Sequence, residues 1–571
     1  MKYLECTEFD TVKGIIYNSA KKFKDNTAFV IKKKYDGNTN YINVSYEKLL
    51  EDVNNLGTAF YNLGLKNKRV AIIGKNRYEW VISHLSNLLG SIVSIPLDKD
   101  LQLEELESSL IRSKADAIVF DDKILDLIEK IKFRNNTVLK EYICMEQIPN
   151  YLNISDLVKK GEEIVKSGNR EFIDNKIDEN AMNILLFTSG TTSASKAVML
   201  SHKNVASNVY ALQCVENIRE TDTNIAFLPF HHIFGSTCLL FMLSNGVKTA
   251  FPDGLRYIKQ NMQEYKVSVF VGVPVLTEAI YKAVVKEIEK QGKTKVVGIA
   301  VKISNFLLKL HIDIRRKLFK KVLDGLGGEL RQIITGGAPA DPMSIKGFAE
   351  FGVTTVQGYG LSETSPVIAA ENYQIRKPGS VGLPMINNNV EIVNKDECGI
   401  GEIRVKGPNV MLGYYEMPEL TNEVLKDGWF YTGDLGYIDR NGILFITGRN
   451  KNLIVLKNGK KVFPEELETV VNRIDLVSEC MVFGLEDKND ENDVMVSVKV
   501  VYDEDTIKEK YSDKSEEDLE KIMKDKIKEV NTTFPRYKHI QKIIVSHEEL
   551  IKTTTKKVKR QEEMKRIMNE L

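Results

Sequence analysis

Six cysteines in 571 residues, with no CxxC pair among them, leave this chain without the material for a disulfide framework or a cysteine-ligated zinc site. Cys6, Cys144, Cys214, Cys238, Cys398 and Cys480 are scattered, as reduced thiols in a cytosol are. Net charge is also lacking. Lys+Arg 80 against Asp+Glu 79 leave +1, so no global field favours nucleic acid as a partner. No stretch reaches the roughly 20 apolar residues that span a bilayer, so no transmembrane segment is expected. The richest, 267–280, is too short and is interrupted by Gly272 and Pro274. The opening MKYLECTEFD is polar and acidic where a secretory signal is basic and then apolar. No fixed-period repeat is present, which argues against a solenoid or propeller. A soluble, cytoplasmic protein of two or more domains is expected from this length, with 43% hydrophobic and 28% charged residues.

What does recur is a short apolar run followed by a polar, glycine-rich loop. RVAII (69–73) leads into GKNRYEW, NILLF (183–187) into TSGTTSASK, and VSVFV (267–271) into GVP. RQII (331–334) leads into TGGAPAD, and VTTV (353–356) into QGYGLSE. Helical stretches such as 46–63 and 344–350 lie between these runs. Strand alternating with helix predicts an α/β fold built on open, parallel sheets, with ligands at the carboxyl ends of the strands. Four of the loops would then share one crevice. From about 378 the rhythm changes to short β segments (VEIVN, GEIRV, WFYTG, GILFITG), read as a small β-rich subdomain over about 378–448. A helix is expected to start at Pro464, where the missing N–H costs nothing and Glu465 and Glu466 complement the dipole. The expected division is 1–448 for a large N-terminal domain and 449–571 for a small mobile α+β one.

The loop Thr188-Ser-Gly-Thr-Thr-Ser-Ala-Ser-Lys196 joins Gly190 to the hydroxyls of Thr188, Ser189, Thr191, Thr192 and Ser193 and then to a lysine. Backbone amides, hydroxyls and a cation can together cradle a polyphosphate. A P-loop NTPase is excluded, because Ser195 and Ala197 stand where that motif needs Gly before the lysine and Ser/Thr after it. Read in isolation, the segment could equally be a hydroxyl-rich surface turn.

FTSGTTSASKAV (187–198) nevertheless resembles the phosphate loop of the acyl-adenylate-forming (AMP-dependent synthetase/ligase) superfamily, with Ser193, Ser195 and Ala197 departing from its Gly, Pro and Gly. QGYGLSETSP (357–366) resembles the same family's GYGxTE motif, TGGAP (335–339) its adenine segment and PFHHIFG (229–235) its acyl-site segment. WFYTGD (429–434), GRNK (448–451), KNG (457–459) and PEELE (464–468) follow in the family's order, and IKTTTKKVKR (551–560) resembles PKTxSGKIxR. The resemblance implies an ATP/AMP site formed by Thr188, Ser189, Gly190, Thr191, Thr192, Lys196, Gly337, Ala338, Gly358, Tyr359, Gly360, Ser362, Asp434, Arg449 and Lys557. It implies catalytic roles for Lys557, Lys196, Glu363 and Thr188, with Glu363 holding Mg²⁺. Tyr359 would face adenine and Asp434 would grip the ribose hydroxyls. His232 and Gly272 would meet the acyl substrate, and Lys451 would be the hinge between two half-reactions.

GYGLSETSP and LGGELRQIITGGAP look most like bacterial long-chain fatty acyl-CoA synthetases. The implied activity joins a small-molecule carboxylate to coenzyme A, through acyl-AMP made from ATP, in a medium- or long-chain fatty acid–CoA ligase. Transfer to an acyl carrier protein and a non-catalytic nucleotide-binding regulator stay open as alternatives. The stretch 282–321 carries twelve Lys/Arg against Glu287, Glu289 and Asp313, and includes an amphipathic run at 301–310. It is read either as a peripheral contact with an anionic inner membrane face or, in preference, as a solvated helix whose apolar stripe faces the core.

Overall fold

Apolar runs that read as continuous stretches, without alternation, belong to strands covered on both faces. The computed structural model bears this out; it describes residues 3–35, 38–188, 196–457, 459–487, 490–553 and 557–570. Arg69–Ile73 and Ala117–Phe120 lie inside an eight-stranded sheet, and all four residues of Ala117–Phe120 are buried. From one edge, the order is Gly413–Tyr414, Lys196–Ser201, Met182–Thr188, Val93–Leu97, Arg69–Ile73, Ala117–Phe120, Glu141–Cys144 and Leu152–Asn153. A second sheet has nine strands in the order Leu383–Pro384, Val367–Ala370, Thr354–Gly360, Gln332–Gly336, Val269–Gly272, Thr223–Ile225, Lys248–Ala250, Thr27–Tyr35 and Asn38–Ser45.

Both sheets are parallel in the middle, as expected, and antiparallel at their edges, which the sequence reading did not include. Parallel pairing runs from Thr354–Gly360 to Thr27–Tyr35 in the larger sheet and from Met182–Thr188 to Leu152–Asn153 in the smaller. Most edges reverse because consecutive strands there pair with each other, as Met182–Thr188 does with Lys196–Ser201, while Gly413–Tyr414 joins antiparallel from far along the chain. Such a hairpin cannot make a parallel pair, which needs a crossover.

The helices Tyr46–Asn62, Pro342–Glu350 and Pro464–Val471 form where the sequence places them. Ser45 and Asp341 cap the first two through bonds from Lys48 N and from Met343 N and Ser344 N. A five-stranded antiparallel sheet follows, built from Asn389–Val393, Gly401–Lys406, Trp429–Ile438, Leu425–Lys426 and Leu444–Arg449. Beyond it, Val477–Asp487, Asp490–Tyr502 and Lys542–Ser546 form a three-stranded sheet. That sheet has its own core, in which Leu467, Val471, Val498, Met523 and Ile527 pack together.

One expectation fails outright. The helix Thr294–Lys309 does not turn its apolar stripe inward: Val296, Ile299, Ile303, Phe306 and Leu310 are 51–66% exposed, and Ser304 is the buried residue. Val297, Ala300, Val301 and Leu307 are half-buried on the same side as Ser304, so only part of the apolar surface is covered. Arg315 and Arg316, in the neighbouring basic cluster, are engaged internally. Arg315 donates to Ala349 O and pairs with Asp313, while Arg316 donates to Leu330 O and Gly328 O.

Candidate active site

The carboxyl ends of the strands open onto one cleft of about 2770 Å³, well above the ~300–1,000 Å³ of an ordinary small-molecule pocket. Four of the five glycine-rich loops reach it, through Thr188 and Lys196, Val273 and Pro274, Thr335–Asp341, and Gln357–Glu363. The fifth, GKNRYEW, stays outside the lining. Its Asn76 donates to Ala226 O and Leu228 O and accepts from Phe230 N, which fastens the PFHHIF segment to the sheet. Sequence reasoning missed that job, because an Asn in a loop gives no sign of a partner 150 residues away.

Thr188 and Lys196 stand directly opposite each other in an antiparallel pair, with Thr188 Oγ1 donating to Lys196 O at 3.3 Å. The connection between them turns back into a strand and not into the helix that a P-loop NTPase needs. Ser189, Gly190, Thr191 and Thr192, with Ser193 and Ser195, lie outside the described residues. Lys196 Nζ sits 4.7 Å above the Tyr414 ring, and the Tyr414 hydroxyl donates to Glu363 Oε1 at 2.8 Å. Burial and the charge of Lys451 lower the Lys196 pKa, while Glu363 opposes the shift. Lys451 itself lies in the short turn Asn450–Asn452 on the cleft wall.

Glu363 is held at the end of Thr354–Gly360 by a tight turn. Its carbonyl accepts from Met411 N, Asn409 Nδ2 donates to Thr364 O, and Gly360 runs so close to Pro366 that a Cβ would stand 1.8 Å from the Pro366 carbonyl oxygen. Among the described residues no group of three or more His, Cys, Asp or Glu side chains is arranged to hold a metal. A single carboxylate on the cleft wall does fit Mg²⁺, which keeps several waters and takes its other oxygens from phosphates. Ser362, Gly358, Tyr359, Gly337 and Ala338 line the same wall.

Asp434 is 3% exposed and bound twice, by the Tyr359 hydroxyl at 2.7 Å and by Arg449 Nε at 2.9 Å. Burial raises its pKa, against the pull of Arg449, Tyr359 and Lys557. The phenol of Tyr359 rises well above its ordinary value through burial and the neighbouring carboxylate.

Lys557 arrives from the C-terminal part of the chain. Lys552 pairs with Val558 across a small hairpin, Thr553 N donates to Lys557 O at 2.8 Å, and Lys557 N donates to Thr553 Oγ1 at 3.2 Å. The Lys557 ammonium reaches Gly337, whose position would carry a Cβ 4.0 Å from Nζ. Gly337 has a φ of +85°, a conformation that suits glycine. Lys557 is open to the cleft yet surrounded by protein, and burial and Arg449 lower its pKa while Asp434 and Glu363 oppose them. Among the described residues the neighbouring basic side chains are paired, Lys552 with Glu479, Lys559 with Glu562 and Arg560 with Glu468.

His232 caps the helix Ile233–Ser244, its Nδ1 accepting from Phe234 N at 3.2 Å. That bond leaves the ring proton on Nε2, a donor at the cleft wall. Burial pushes its pKa down to about 3, which keeps the ring neutral. Gly272 departs from expectation. The Phe270 ring occupies the space its Cβ would need, at 2.6 Å, and Val273 and Pro274 line the cleft instead. Tyr414 was also missed, since nothing local in GYYE points to a glutamate 51 residues earlier.

Set beside known proteins, residues 16–415 match the family described as AMP-binding enzyme, and residues 451–570 match the AMP-binding enzyme C-terminal domain. Fatty acyl-CoA synthetase B of Dictyostelium discoideum is 29% identical over 527 residues, covering 85% of this chain and 76% of that protein. Long-chain-fatty-acid–CoA ligase 5 of Mus musculus is 31% identical over 478 residues, covering 77% and 69%. The crystal structure of the anthranilate CoA ligase AuaEII with anthranoyl-AMP shares the fold, with a TM-score of 0.77, 18% identity and 99% of both chains covered. A cleft that collects four strand-end loops and a lysine from the C-terminal part, in a chain matched along most of its length, belongs to the AMP-binding enzyme family.

Proposed function

We propose that this chain activates a medium- or long-chain fatty acid with ATP and transfers the acyl group to coenzyme A. A carboxylate oxygen attacks the α-phosphorus, the bond to the bridging oxygen breaks, and pyrophosphate leaves. The coenzyme A thiolate then attacks the acyl carbon and AMP departs with the bonding electron pair. The observation that carries this reading is Lys557, brought from the C-terminal part to within reach of Gly337, Asp434 and Glu363. A fixed cation there stabilises charge that builds between carboxylate and α-phosphate, and positioning supplies most of the remaining rate.

In this scheme Asp434, once Tyr359 and Arg449 rearrange around a nucleotide, accepts the ribose hydroxyls. Lys196 and the loop after Thr188 hold the β- and γ-phosphates, and the neutral His232 donates from Nε2. Mg²⁺ held by Glu363 would neutralise phosphate oxygens. Carboxylate-dependent ATP–pyrophosphate exchange, run without thiol from acetate to palmitate, tests the first step. Exchange with one chain-length class supports the reading. ATP binding with no exchange for any acid overturns it in favour of the non-catalytic regulator. Adding coenzyme A or a phosphopantetheinylated carrier protein to the same assay decides the acceptor.

The cytoplasmic inner membrane face is the proposed place of work, and Thr294–Lys309 the proposed contact. Its exposed apolar stripe repeats every three or four residues, and Lys295, Lys302 and Lys309 follow beside it every seven. The surrounding excess of Lys and Arg favours anionic lipid and repels a second copy of the same helix. Cosedimentation with vesicles containing phosphatidylglycerol should fall at least about tenfold in an Ile303→Glu/Phe306→Glu variant, since each charge opposes insertion. Equal binding of the variant and the parent protein would remove the membrane from this reading.

A further inference from the structure

The same cleft is lined by the apolar side chains of Leu212, Leu228, Phe241, Ile334, Val356 and Val367. Glu216 borders it too, although it is only 2% exposed. It stands just past the end of the helix His202–Val215, and its Oε2 accepts from Gln332 Nε2 at 2.7 Å. Among the described residues the other carboxyl oxygen meets no hydrogen-bond partner. Gln332 opens the strand that ends at Gly336 on the cleft wall, so the backbone at Gln332, the partner of Glu216, lies about 13 Å from Gly336, four residues at ~3.3 Å each.

A buried carboxyl group among apolar side chains is expensive to keep unless something meets it. Burial and the nearby Glu371 push its pKa up to about 8, while Gln332, Arg376 and Arg331 pull the other way. Arg331 is engaged by Asp222, and Glu371 by Gln357 N, Lys377 N and Ser380 Oγ. A neutral acid at this point can both donate and accept a hydrogen bond. A methyl-ended chain pressed against it leaves that capacity unmet, whereas a hydroxyl satisfies it.

Resting on the acyl-activating reading above, we propose that the acyl pocket ends on Glu216 and selects chains with a hydroxyl at the far end over methyl-ended chains of equal length. A site built to hydrogen-bond a substrate hydroxyl rejects the analogue that lacks it, here by about tenfold or more.

The test is ATP–pyrophosphate exchange with paired acids, ω-hydroxylated and methyl-ended, at each even length from six to sixteen carbons. The parent protein is compared with Glu216→Leu and Glu216→Gln. The quantity read is the ratio of kcat/KM within each pair, which a general loss of stability leaves unchanged. The proposal expects the parent protein to favour the hydroxylated acid at the lengths that reach Glu216. It expects Glu216→Leu to reverse that preference and Glu216→Gln to keep it. The same ratio in the parent protein and in Glu216→Leu at every length overturns the proposal while leaving acyl activation intact. Absence of exchange with every acid in the parent protein overturns the activation reading, and this proposal with it.

Discussion

Lys557 carries the sharpest demand placed on a single side chain. It comes from a hairpin whose base is tied down by Arg560 on Glu468 and Val482 O, so its reach into the cleft is built in. Lys557→Ala should lower acid-dependent pyrophosphate exchange by about a hundredfold or more, as loss of a fixed charge-stabilising group does. Thiol transfer from supplied acyl-AMP should stay within a few-fold of the parent rate. Equal loss of both half-reactions in a folded variant would contradict the assigned role. Glu216 makes a separate demand, on stability. Its folded pKa of about 8 lies above the ~4.3 of an unfolded glutamate, so the folded state holds an extra proton between those values. Its contribution is therefore complete below the unfolded value and is lost as pH rises through about 8. Thermal melts should show Glu216→Gln gaining on the parent protein between pH 5 and pH 9. A constant difference across that range would mean that the carboxyl is not held neutral.

At the scale of elements, the turn after Thr354–Gly360 sets where Glu363 stands. Gly360 is required there by space, since a Cβ would sit 1.8 Å from a backbone oxygen that has no room to retreat. Gly360→Ala should cost about 1–3 kcal/mol of stability, the usual range for overpacking. It should also raise the KM for ATP, because moving the turn moves Glu363 and its bond to Tyr414. A variant with parent-like melting and unchanged ATP dependence would show that the turn adapts. The helix Thr294–Lys309 makes the complementary point. Its amphipathic pattern was visible in the sequence, but periodicity fixes only the angle between faces. Which face the rest of the fold covers depends on neighbours the helix does not encode.

Across the whole molecule, ion pairs tie the C-terminal part to the rest. Besides Arg449 with Asp434, the ion pairs that bridge the two include Arg473 with Asp341, Lys286 with Glu509 and Lys461 with Asp396; the three last are the outer ties. All three are at least partly exposed, and such pairs contribute about 0–1 kcal/mol each. An arrangement held this lightly can be released, as rotation about Lys451 between half-reactions would require. Removing two of the ties, in Arg473→Gln/Lys286→Gln, should slow pyrophosphate exchange several-fold at low salt and leave transfer from acyl-AMP unchanged or faster. High salt should erase the difference, because exposed pairs are screened. A variant that loses both half-reactions alike would show that these contacts do more than hold one docked state.

The loops that meet in the cleft were legible residue by residue. Parallel strands buried on both faces read as apolar runs, and ligand-binding loops must follow their carboxyl ends. Lys196, Glu363, Asp434, Arg449 and Lys557 were legible only through the family resemblance, and all five line the one cleft. The antiparallel edges, the Tyr414 bond to Glu363, the Asn76 clasp, the Phe270 ring packed against Gly272 and the buried carboxyl of Glu216 on the cleft wall were not legible. Each depends on a partner distant in sequence or on how a ring fills space, and no local pattern carries that information. Local chemistry determined which groups this protein could use, while packing decided which of them share a cavity and which face of Thr294–Lys309 meets solvent.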